Sequence, residues 1–332
     1  MRLRLVLLAL LALPLAACGT EEESPATAGA SGGAFPVTVE HKFGSTTVEK
    51  APERVVTVGY TDQDATLAVG VVPVGVGDFL GGYDWRARPW AQEALGGAKP
   101  KVVAGQQINF EAVAAQRPDL IIAINAGLKQ ADYDKLTRIA PTVAQSGDYI
   151  DFGMPWDEQT MLVARALGRE QRGEDVVEQV KAKFEQVREE HPEFAGKSGI
   201  LAYGGPDGYG AYATGDTRSR FFTDLGFELP GKIDELAGES FFTEFSQEQF
   251  RLLDQELVAM YGSEDDVLAN PVVKRLDAAE QDRMVFIELT DQFAGALGFA
   301  SALSLDWLLD NEVDAIAAAV DGDPSTEVAQ PE

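Results

Sequence analysis

The amino-acid sequence predicts an α/β protein of two Rossmann-like lobes, each built on a central parallel sheet, joined by one long α-helix. Short, wholly apolar runs alternate with helical segments on both sides of a charged stretch at 170–190. Continuous apolar runs are typical of parallel strands that helices cover on both faces. The charged stretch predicts a helix about 30 Å long at about 1.5 Å per residue, which is enough to cross from one lobe to another. The 332-residue chain also exceeds a single comfortable hydrophobic core.

The first half of the chain carries the first alternation of strands and helices. A β-branched run between Pro52 and Gly59 indicates the first buried strand. A helix follows, with Thr61 or Asp62 as its N-cap and Gly70 at its end. The predicted strands are 54–58, 71–76, 101–103, 120–124 and 142–143, and the predicted helices are 62–69, 109–116, 131–139 and 156–167.

The helix predicted at 170–190 separates this half from a second alternation. Apolar residues recur at helical spacing from Val176 to Val187, and Pro192 follows the end of the helix. Beyond it we predict strands at 200–203, 209–213, 257–261 and 284–289, and helices at 219–225, 247–253, 301–310 and 313–320. The predicted divisions are an N-lobe at 36–168, an interlobe helix at 169–192, a C-lobe at 193–322 and a disordered tail at 323–332.

The first 17 residues have the parts of a secretory signal peptide. Arg2 and Arg4 precede an apolar run at 5–15, which is too short to span a hydrocarbon core of about 30 Å comfortably. The Leu-Ala-Ala-Cys sequence that ends at Cys18, the only cysteine, resembles the lipobox of bacterial lipoproteins. That resemblance implies that Cys18 is acylated and leads a flexible tether at 18–35. An ordinary signal peptide with an incidental cysteine is the alternative.

Composition limits the partners and the chemistry. The chain has 54 acidic and 27 basic residues, a net charge of −27, so nucleic acid and anionic lipid surfaces would repel it. One cysteine leaves no pair for a disulfide within the chain. The two histidines, His41 and His191, are not near other candidate ligands in the sequence, so we do not expect a multi-histidine metal site.

Five short stretches carry the pattern of a known family. They are Pro52-Glu53-Arg54-Val55-Val56, Asn109-Phe110-Glu111, Arg117-Pro118-Asp119-Leu120-Ile121-Ile122, Asp216-Thr217-Arg218-Ser219-Arg220-Phe221 and Phe245-Ser246-Gln247-Glu248-Gln249-Phe250. In this order they resemble the periplasmic-binding-protein family of iron-siderophore and cobalamin ABC importers, over residues 36–320. The resemblance implies a monomeric extracytoplasmic receptor with small lobe closure, not an enzyme. It implies a ferric siderophore as ligand, an ABC permease as partner, and no cofactor or metal ligand of the protein's own.

Candidate ligand contacts lie in the loops that follow strands, because open α/β sheets bind ligands at the carboxyl ends of their strands. The loop at 78–90 combines aromatic rings with guanidinium groups, which suit the apolar body and the hydroxamate or carboxylate oxygens of a ferric complex. We also expect a flexible, tyrosine-rich turn at 203–212 to face the cleft. The predicted ligand contacts are Tyr60, Trp85, Arg86, Arg88, Trp90, Leu128, Tyr209, Tyr212, Arg218 and Arg220.

Other roles stay open for these residues. The tryptophans could plug the lobe edge, the C-lobe arginines could pair at the surface, and Phe241 and Phe242 fit core packing better than ligand contact. Glu111 and Glu248 each begin a predicted helix, one in each lobe. The family resemblance implies that both dock into arginine pockets of the permease, and a helix-cap role is the alternative.

The ligand class also has alternatives. Hydroxamate and citrate or mixed siderophores are favoured, while a cobalamin or haem receptor of the same fold is the next candidate, because the tyrosines leave haem ligation open. A hydrolase is the candidate from another class. It is disfavoured because the Gly-x-Ser-x-Gly pattern at 29–33 lacks the strand and helix that a nucleophile elbow needs.

Overall fold

The computed structural model describes residues 35–78, 87–322, 326, 328 and 330. An antiparallel hairpin opens this part of the chain, with β1 (Val37–His41) paired to β2 (Gly44–Val48). Val39 and Val48 of the hairpin are buried in the apolar cluster of the N-lobe. The hairpin therefore covers one side of that lobe.

The N-lobe contains a five-stranded parallel sheet in the order β5-β4-β3-β6-β7. Its strands are β3 (Val55–Thr57), β4 (Gly75–Gly77), β5 (Lys101–Ala104), β6 (Leu120–Ala123) and β7 (Thr142–Ala144). The strand order switches direction at β3, because β4 and β6 lie on its two sides. Such a switch point opens a crevice at the carboxyl ends of the strands, and the loops after β3 and β6 border it.

The N-lobe helices follow the predicted positions to within a few residues, except for a short one that the sequence did not indicate. They are α1 (Asp62–Ala68), α2 (Gln92–Leu95), α3 (Phe110–Ala115), α4 (Gln130–Leu136) and α5 (Trp156–Ala166). The unpredicted helix, α2, follows a 3-10 turn at Pro89–Ala91. The Asn109 side chain caps α3 by accepting a hydrogen bond from the Ala112 N–H at 2.9 Å, as its position before the helix predicts.

One long helix joins the two lobes, as predicted. It is α6 (Glu170–Glu190), and His191 and Pro192 follow it. Its buried residues form a single stripe at helical spacing: Gly173, Val176, Val180, Phe184 and Val187. Four of these five belong to the apolar cluster that also contains the C-lobe sheet. The stripe fixes which face of the helix the lobes cover.

The C-lobe sheet has five strands in the order β10-β9-β8-β11-β12. They are β8 (Gly199–Gly205), β9 (Gly208–Tyr212), β10 (Phe242–Glu244), β11 (Leu257–Tyr261) and β12 (Met284–Ile287). β8, β11 and β12 are parallel, whereas β9 and β10 are antiparallel to their neighbours. The prediction of a flexible turn at 203–212 is therefore wrong. This tyrosine-rich segment belongs to the antiparallel hairpin of β8 and β9.

The C-lobe helices surround this sheet, and several of them are too short for the sequence pattern to indicate. They are α7 (Thr217–Asp224), α8 (Gly231–Ala237), α9 (Glu264–Leu268), α10 (Asp277–Glu280), α11 (Gln292–Phe299), α12 (Ala302–Asn311) and α13 (Val313–Val320). The helix predicted at 247–253 is a 3-10 helix, Gln247–Leu253. A second 3-10 turn covers Val273–Arg275.

The two lobes share one apolar cluster instead of meeting only through α6. Leu67 of α1 and Trp90 belong to the same cluster as Phe299, Leu305 and the C-lobe sheet. The predicted layout of two α/β lobes and one long helix is thus confirmed, with a continuous core between them. Within the described residues, no helix combines the length and apolar character that crossing a membrane requires.

Candidate ligand-binding cleft

A cleft of about 290 Å³ lies between the two lobes, at the carboxyl ends of their strands. The N-lobe contributes the loops after β3, β6 and β7, and the C-lobe contributes the start of α7, the residue before β10, and α11. The residues that line it are Tyr60, Asn125, Ile150, Asp151, Phe152, Gly153, Gly215, Asp216, Thr217, Arg218, Phe241 and Gly298. Of the ten predicted ligand contacts, Tyr60 and Arg218 are in this lining.

A buried carboxylate holds the N-lobe side of the cleft in place. Asp62 accepts three backbone N–H groups, from Gly59 at 3.0 Å, Ile124 at 3.0 Å and Asn125 at 2.8 Å. These bonds join the end of β3 to the end of β6, directly beside Tyr60. Burial nevertheless raises the pKa of Asp62 to about 6, against the lowering effect of the three N–H donors.

An aromatic pair forms the apolar wall of the N-lobe. The rings of Tyr60 and Phe152 are stacked, with centroids 5.9 Å apart and planes 11° apart. Phe152 has a φ of +66°, a left-handed conformation that is uncommon for a bulky residue. Gly127 makes room for the ring, because a Cβ at that position would lie 2.6 Å from the Phe152 Cζ. The chain therefore holds an aromatic ring at the cleft in a strained conformation.

The C-lobe wall presents a cation held on two sides. Arg218 donates from Nε and Nη2 to the two carboxylate oxygens of Asp216, at 2.9 and 2.7 Å. Its guanidinium carbon lies 3.9 Å from the centroid of the Tyr212 ring. Burial alone would lower the pKa of Arg218, but the Asp216 carboxylate outweighs it and raises that pKa above its usual value. Arg218 is thus a fixed, permanent positive charge in the cleft wall.

Tyrosines lie beneath this cation. Tyr212 contacts Tyr203 at 5.7 Å and Tyr261 at 6.0 Å between ring centroids. Burial raises the pKa of Tyr212 and of Tyr261, so both hydroxyls stay neutral at physiological pH. Tyr212 supports Arg218 without itself belonging to the cleft lining, and a direct ligand contact for it stays a prediction.

Arg88 and Trp90 do not line the cleft, so their predicted position is wrong. Arg88 is fully buried, with its Nε 3.0 Å from the Asp64 carboxylate. Trp90 donates from Nε1 to the same carboxylate at 2.7 Å and packs against Phe299. The sequence around Arg88 and Trp90 does not indicate that Asp64 is their partner, because Asp64 lies in α1. Their aromatic and cationic groups serve the packing of α1 against the helices that follow β12.

Three other predicted contacts also lie outside the cleft. Tyr209 is buried and donates its hydroxyl to the Val267 carbonyl at 2.7 Å, because alternate residues of β9 face opposite sides of the sheet. Leu128 is buried and borders a neighbouring N-lobe pocket of about 370 Å³, which Tyr60 also lines. Arg220 reaches across to the N-lobe, where its Nη2 donates to the Gly153 carbonyl at 3.2 Å.

Several lining residues escaped the sequence reasoning. Ile150 and Phe152 follow β7, and the rule that loops after parallel strands border the crevice could have indicated them. Asn125 follows β6 for the same reason. Phe241, expected in the core, is exposed at the cleft because it precedes the edge strand β10.

Glu111 and Glu248 are both exposed, each in the first turn of its helix. Asn109 supplies the cap of α3, and Ser246 with Gln249 forms the capping box of the 3-10 helix at Gln247–Leu253. Within the described part of the chain, neither glutamate side chain makes a hydrogen bond or an ion pair that would give it a structural role. Neither glutamate is therefore the capping side chain of its helix, although the first-turn position of each is favourable in the helix dipole.

Cys18, Trp85 and Arg86 lie outside the described residues, so their predicted roles stay predictions. In the described ranges no group of three or more His, Cys, Asp or Glu side chains could hold a metal ion. What the cleft does offer is a fixed cation, aromatic faces and backbone groups. These groups can bind an oxygen-rich ligand.

The sequence profile of the family described as "Periplasmic binding protein" matches residues 55–289, which is most of the described chain. The chain belongs to the periplasmic binding protein family. Its members are substrate-binding receptors rather than enzymes. The cleft, with its fixed cation and aromatic faces, suits the binding of a ligand.

Individual relatives extend this result. The Fe(3+)-citrate-binding protein YfmC of Bacillus subtilis (strain 168) is 24% identical over 253 residues, covering 74% of this chain and 76% of its own. A periplasmic solute binding protein from Mycobacterium smegmatis has a TM-score of 0.75 and 34% identity over 86% of this chain and 98% of its own. PiaA of Streptococcus pneumoniae TIGR4, solved in complex with ferrichrome, has a TM-score of 0.75 and 26% identity over 86% of this chain and 99% of its own.

Proposed function

We propose that this chain is an extracytoplasmic receptor that binds a ferric siderophore in the interlobe cleft and delivers it to an ABC permease for iron uptake. One arrangement carries the proposal: Arg218, fixed by Asp216, shares the cleft with the stacked rings of Tyr60 and Phe152. A guanidinium donates charge-assisted hydrogen bonds to the oxygens around Fe³⁺, and aromatic faces pack against the apolar body of a chelator.

The favoured ligands are hydroxamate and citrate or mixed siderophores. Both types present oxygen atoms as acceptors around the iron, and a permanent cation suits either. The names of the relatives point the same way, since one is called an Fe(3+)-citrate-binding protein and another was solved with ferrichrome. Because the ligand supplies the iron and its coordination, the receptor needs no metal ligand of its own.

Haem and cobalamin are less well supported as ligands. A haem receptor requires an axial ligand, for which His or Tyr in the cleft is the usual choice. His41 is engaged with Thr46 at 2.9 Å and His191 with Glu193 at 2.9 Å, and neither lines the cleft. Tyr60 is the tyrosine of the lining, and its ring is stacked on Phe152.

A binding titration tests the proposal. Purified mature protein is titrated with ferrichrome and with ferric citrate while intrinsic fluorescence is followed, and we expect saturable quenching with at least one of them. Arg218→Ala should weaken that binding about 10- to 100-fold, which corresponds to the loss of a charge-assisted hydrogen bond. Arg275→Ala, in an exposed 3-10 turn of the C-lobe, is the matched control and should bind as the wild type does. Absence of saturable binding to either ferric complex would overturn the proposal.

Glu111 and Glu248 are proposed as the contacts with the permease. Support comes from their exposure, from their placement one in each lobe, and from the caps that other residues already provide. Exposed carboxylates without internal partners are free to meet basic pockets on another protein.

Cys18 is proposed as a lipid anchor that keeps the receptor at the outer face of the cytoplasmic membrane. The lipobox-like sequence before it supports this, and the −27 charge of the chain argues against attachment through anionic lipid headgroups. Membrane fractionation of Cys18→Ser tests the anchor. The variant should appear in the soluble fraction with unchanged siderophore affinity, and a variant that stays firmly in the membrane fraction after signal cleavage would contradict it.

A further inference from the structure

Arg218 and Arg220 lie two residues apart on α7 but serve different sides of the molecule. Two residues correspond to a rotation of about 200° around a helix, so the two side chains leave α7 in nearly opposite directions. Arg218 lines the cleft. Arg220 lines a separate pocket of about 350 Å³ with residues of α5 and α6, including Asp157, Lys181 and Arg188. Arg220 is therefore close to the cleft without belonging to its lining.

The contact of Arg220 with the N-lobe is a hydrogen bond to the turn at 150–153. Its Nη2 donates to the Gly153 carbonyl at 3.2 Å. That turn closes on itself, because the Gly153 N–H donates to the Ile150 carbonyl at 3.0 Å. A Cβ at Gly153 would lie 2.8 Å from Ile150 Cγ1, so a side chain at this position requires Ile150 to shift. The turn that Arg220 holds is thus the one that presents Ile150 and Phe152 to the cleft.

The turn is anchored from both lobes. At its start, the Gln145 side chain donates from Nε2 to the carbonyls of Tyr149 and Ile150, at 3.0 and 3.1 Å. Lys42 forms an ion pair with Asp151. These anchors belong to the N-lobe, whereas Arg220 is an anchor from the C-lobe at the other end of the turn.

The charge of Arg220 is available for this contact. Among the described residues no carboxylate lies within ion-pair distance of its guanidinium, although Asp224 and Asp157 border the same pocket. A hydrogen bond from a charged donor to a backbone carbonyl is stronger than one between neutral groups. Phe152, whose φ is +66°, directly precedes Gly153 in the chain, and its ring stacks on the Tyr60 ring. The hydrogen bond at Gly153 is therefore one residue away from the aromatic wall of the cleft.

We propose that Arg220 is a positioning residue, which holds the Phe152 wall of the cleft in its binding position through the Gly153 carbonyl, and so makes ligand affinity depend on the approach of the two lobes. The role in ligand affinity rests on the proposed siderophore binding; the hydrogen bond and its effect on the turn do not. Arg220 does not contact the ligand, and it affects ligand affinity only by positioning this wall.

The ligand arm of the test is a double-mutant cycle measured with ferrichrome or ferric citrate, whichever the wild type binds. Arg220→Gln is too short to reach Gly153 and should weaken binding about tenfold, as the loss of a charge-assisted hydrogen bond predicts. In a Phe152→Ala background the same change should cost less than about twofold, because the wall it positions is gone. Arg188→Gln is the matched control, since Arg188 lines the same pocket but donates to the Asp224 carbonyl.

The second arm needs no ligand. Hydrogen exchange of the Gly153 amide in the free protein should become about tenfold faster in Arg220→Gln and should not change in Arg188→Gln. Arg220→Lys, which keeps a charged donor, should lie between the wild type and the Gln variant in both arms. An equal loss of affinity with and without the Phe152 ring would overturn the proposal in favour of direct ligand contact. Unchanged exchange at Gly153 would overturn it as well, and absence of siderophore binding by the wild type would defeat the proposed function while leaving the exchange result interpretable.

Discussion

The Asp64 carboxylate on α1 accepts a hydrogen bond of 2.9 Å from the hydroxyl of Ser301, the N-cap residue of α12, which is 237 residues away in the chain. The same carboxylate meets Arg88 and Trp90, and all of these groups are buried. The first helix of one lobe and the penultimate helix of the other are therefore joined through one charged group in the interior.

We predict that Asp64→Asn lowers the free energy of unfolding by about 3–5 kcal/mol, because it leaves the Arg88 charge buried without its counter-ion. Urea denaturation measures the effect. Ser301→Ala should cost less, about 0.5–2 kcal/mol, the usual value of an N-cap. Asp132→Asn, in the exposed pair with Lys135, is the control and should change stability by no more than about 1 kcal/mol. An Asp64→Asn variant as stable as this control would contradict the prediction.

A second prediction concerns pH and Glu312. Burial, with the charge of Asp291 as the smaller cause, raises the pKa of Glu312 from 4.5 to about 7. A pKa that is higher in the folded state gives stability below about pH 4.5 that is lost as the pH rises through 7. Glu312→Gln does not titrate, so at pH 8 it should be more stable than the wild type by about 1 kcal/mol, a discounted value for a partly solvated group.

Thermal or urea unfolding of both proteins between pH 4.5 and 8 measures this difference. It should shrink steadily as the pH falls. Asp291→Asn should reduce the difference at pH 8, because it removes one of the two causes of the raised pKa. A wild type that is the more stable protein at pH 8 would show that the carboxylate is stabilised where it lies.

A third prediction separates the strain at Phe152 from its contact. A left-handed backbone costs a non-glycine residue about 1–2 kcal/mol, so Phe152→Gly should be more stable than Phe152→Ala by about 1 kcal/mol. Both variants lack the ring that stacks on Tyr60, and both should bind the ferric siderophore at least about tenfold more weakly, no less than the loss expected when Arg220 no longer positions that ring. Urea unfolding and fluorescence titration give the two quantities. Affinity retained in both variants would remove Phe152 from the binding wall.

A fourth prediction separates binding from transport. Replacing Glu111 and Glu248 by Lys should abolish uptake of iron-55-labelled siderophore in cells while leaving affinity in solution within about twofold, because like charges at an interface cost several kcal/mol. The matched control replaces Glu189 and Glu239, exposed acids outside the first turns of these two helices, by Lys. Normal uptake by the double variant, or a parallel loss of siderophore affinity, would contradict a docking role.

The elements that the sequence predicted well are those whose pattern is local. The boundaries of α6 and β11 are the predicted ones, because a stripe at helical spacing and an unbroken apolar run are each readable within one segment. The short helices α8 to α10 escaped, since four to seven residues carry too little periodicity. The sequence at 199–212 predicts two strands of a parallel sheet and a turn, whereas the chain forms an antiparallel hairpin, because pairing direction depends on chain reversal and not on composition.

The candidate site was harder to predict than the fold, for a related reason. Arg218, a predicted ligand contact at the start of a helix, lies in the cleft lining, and its contact with a ligand stays a prediction. Arg88 has the same side chain in an equally plausible loop, yet the distant Asp64 takes it into the interior. Phe152 went unnoticed because its role depends on a left-handed backbone and on the space that Gly127 leaves. The outcomes for Arg88 and Phe152 are decided by partners outside their own segments, whereas Arg218 is held by Asp216 of its own helix start.

The apolar cluster that runs from Leu67 to Phe299 through both lobes has a consequence for traffic at the membrane. Separating the lobes widely would bring that cluster into water, so empty and loaded receptors must have nearly the same outline. A permease that met only the outline would receive empty receptors as readily as loaded ones. Empty receptors then act as competitors, and the rate of iron uptake should pass through a maximum as receptor abundance rises above the supply of siderophore.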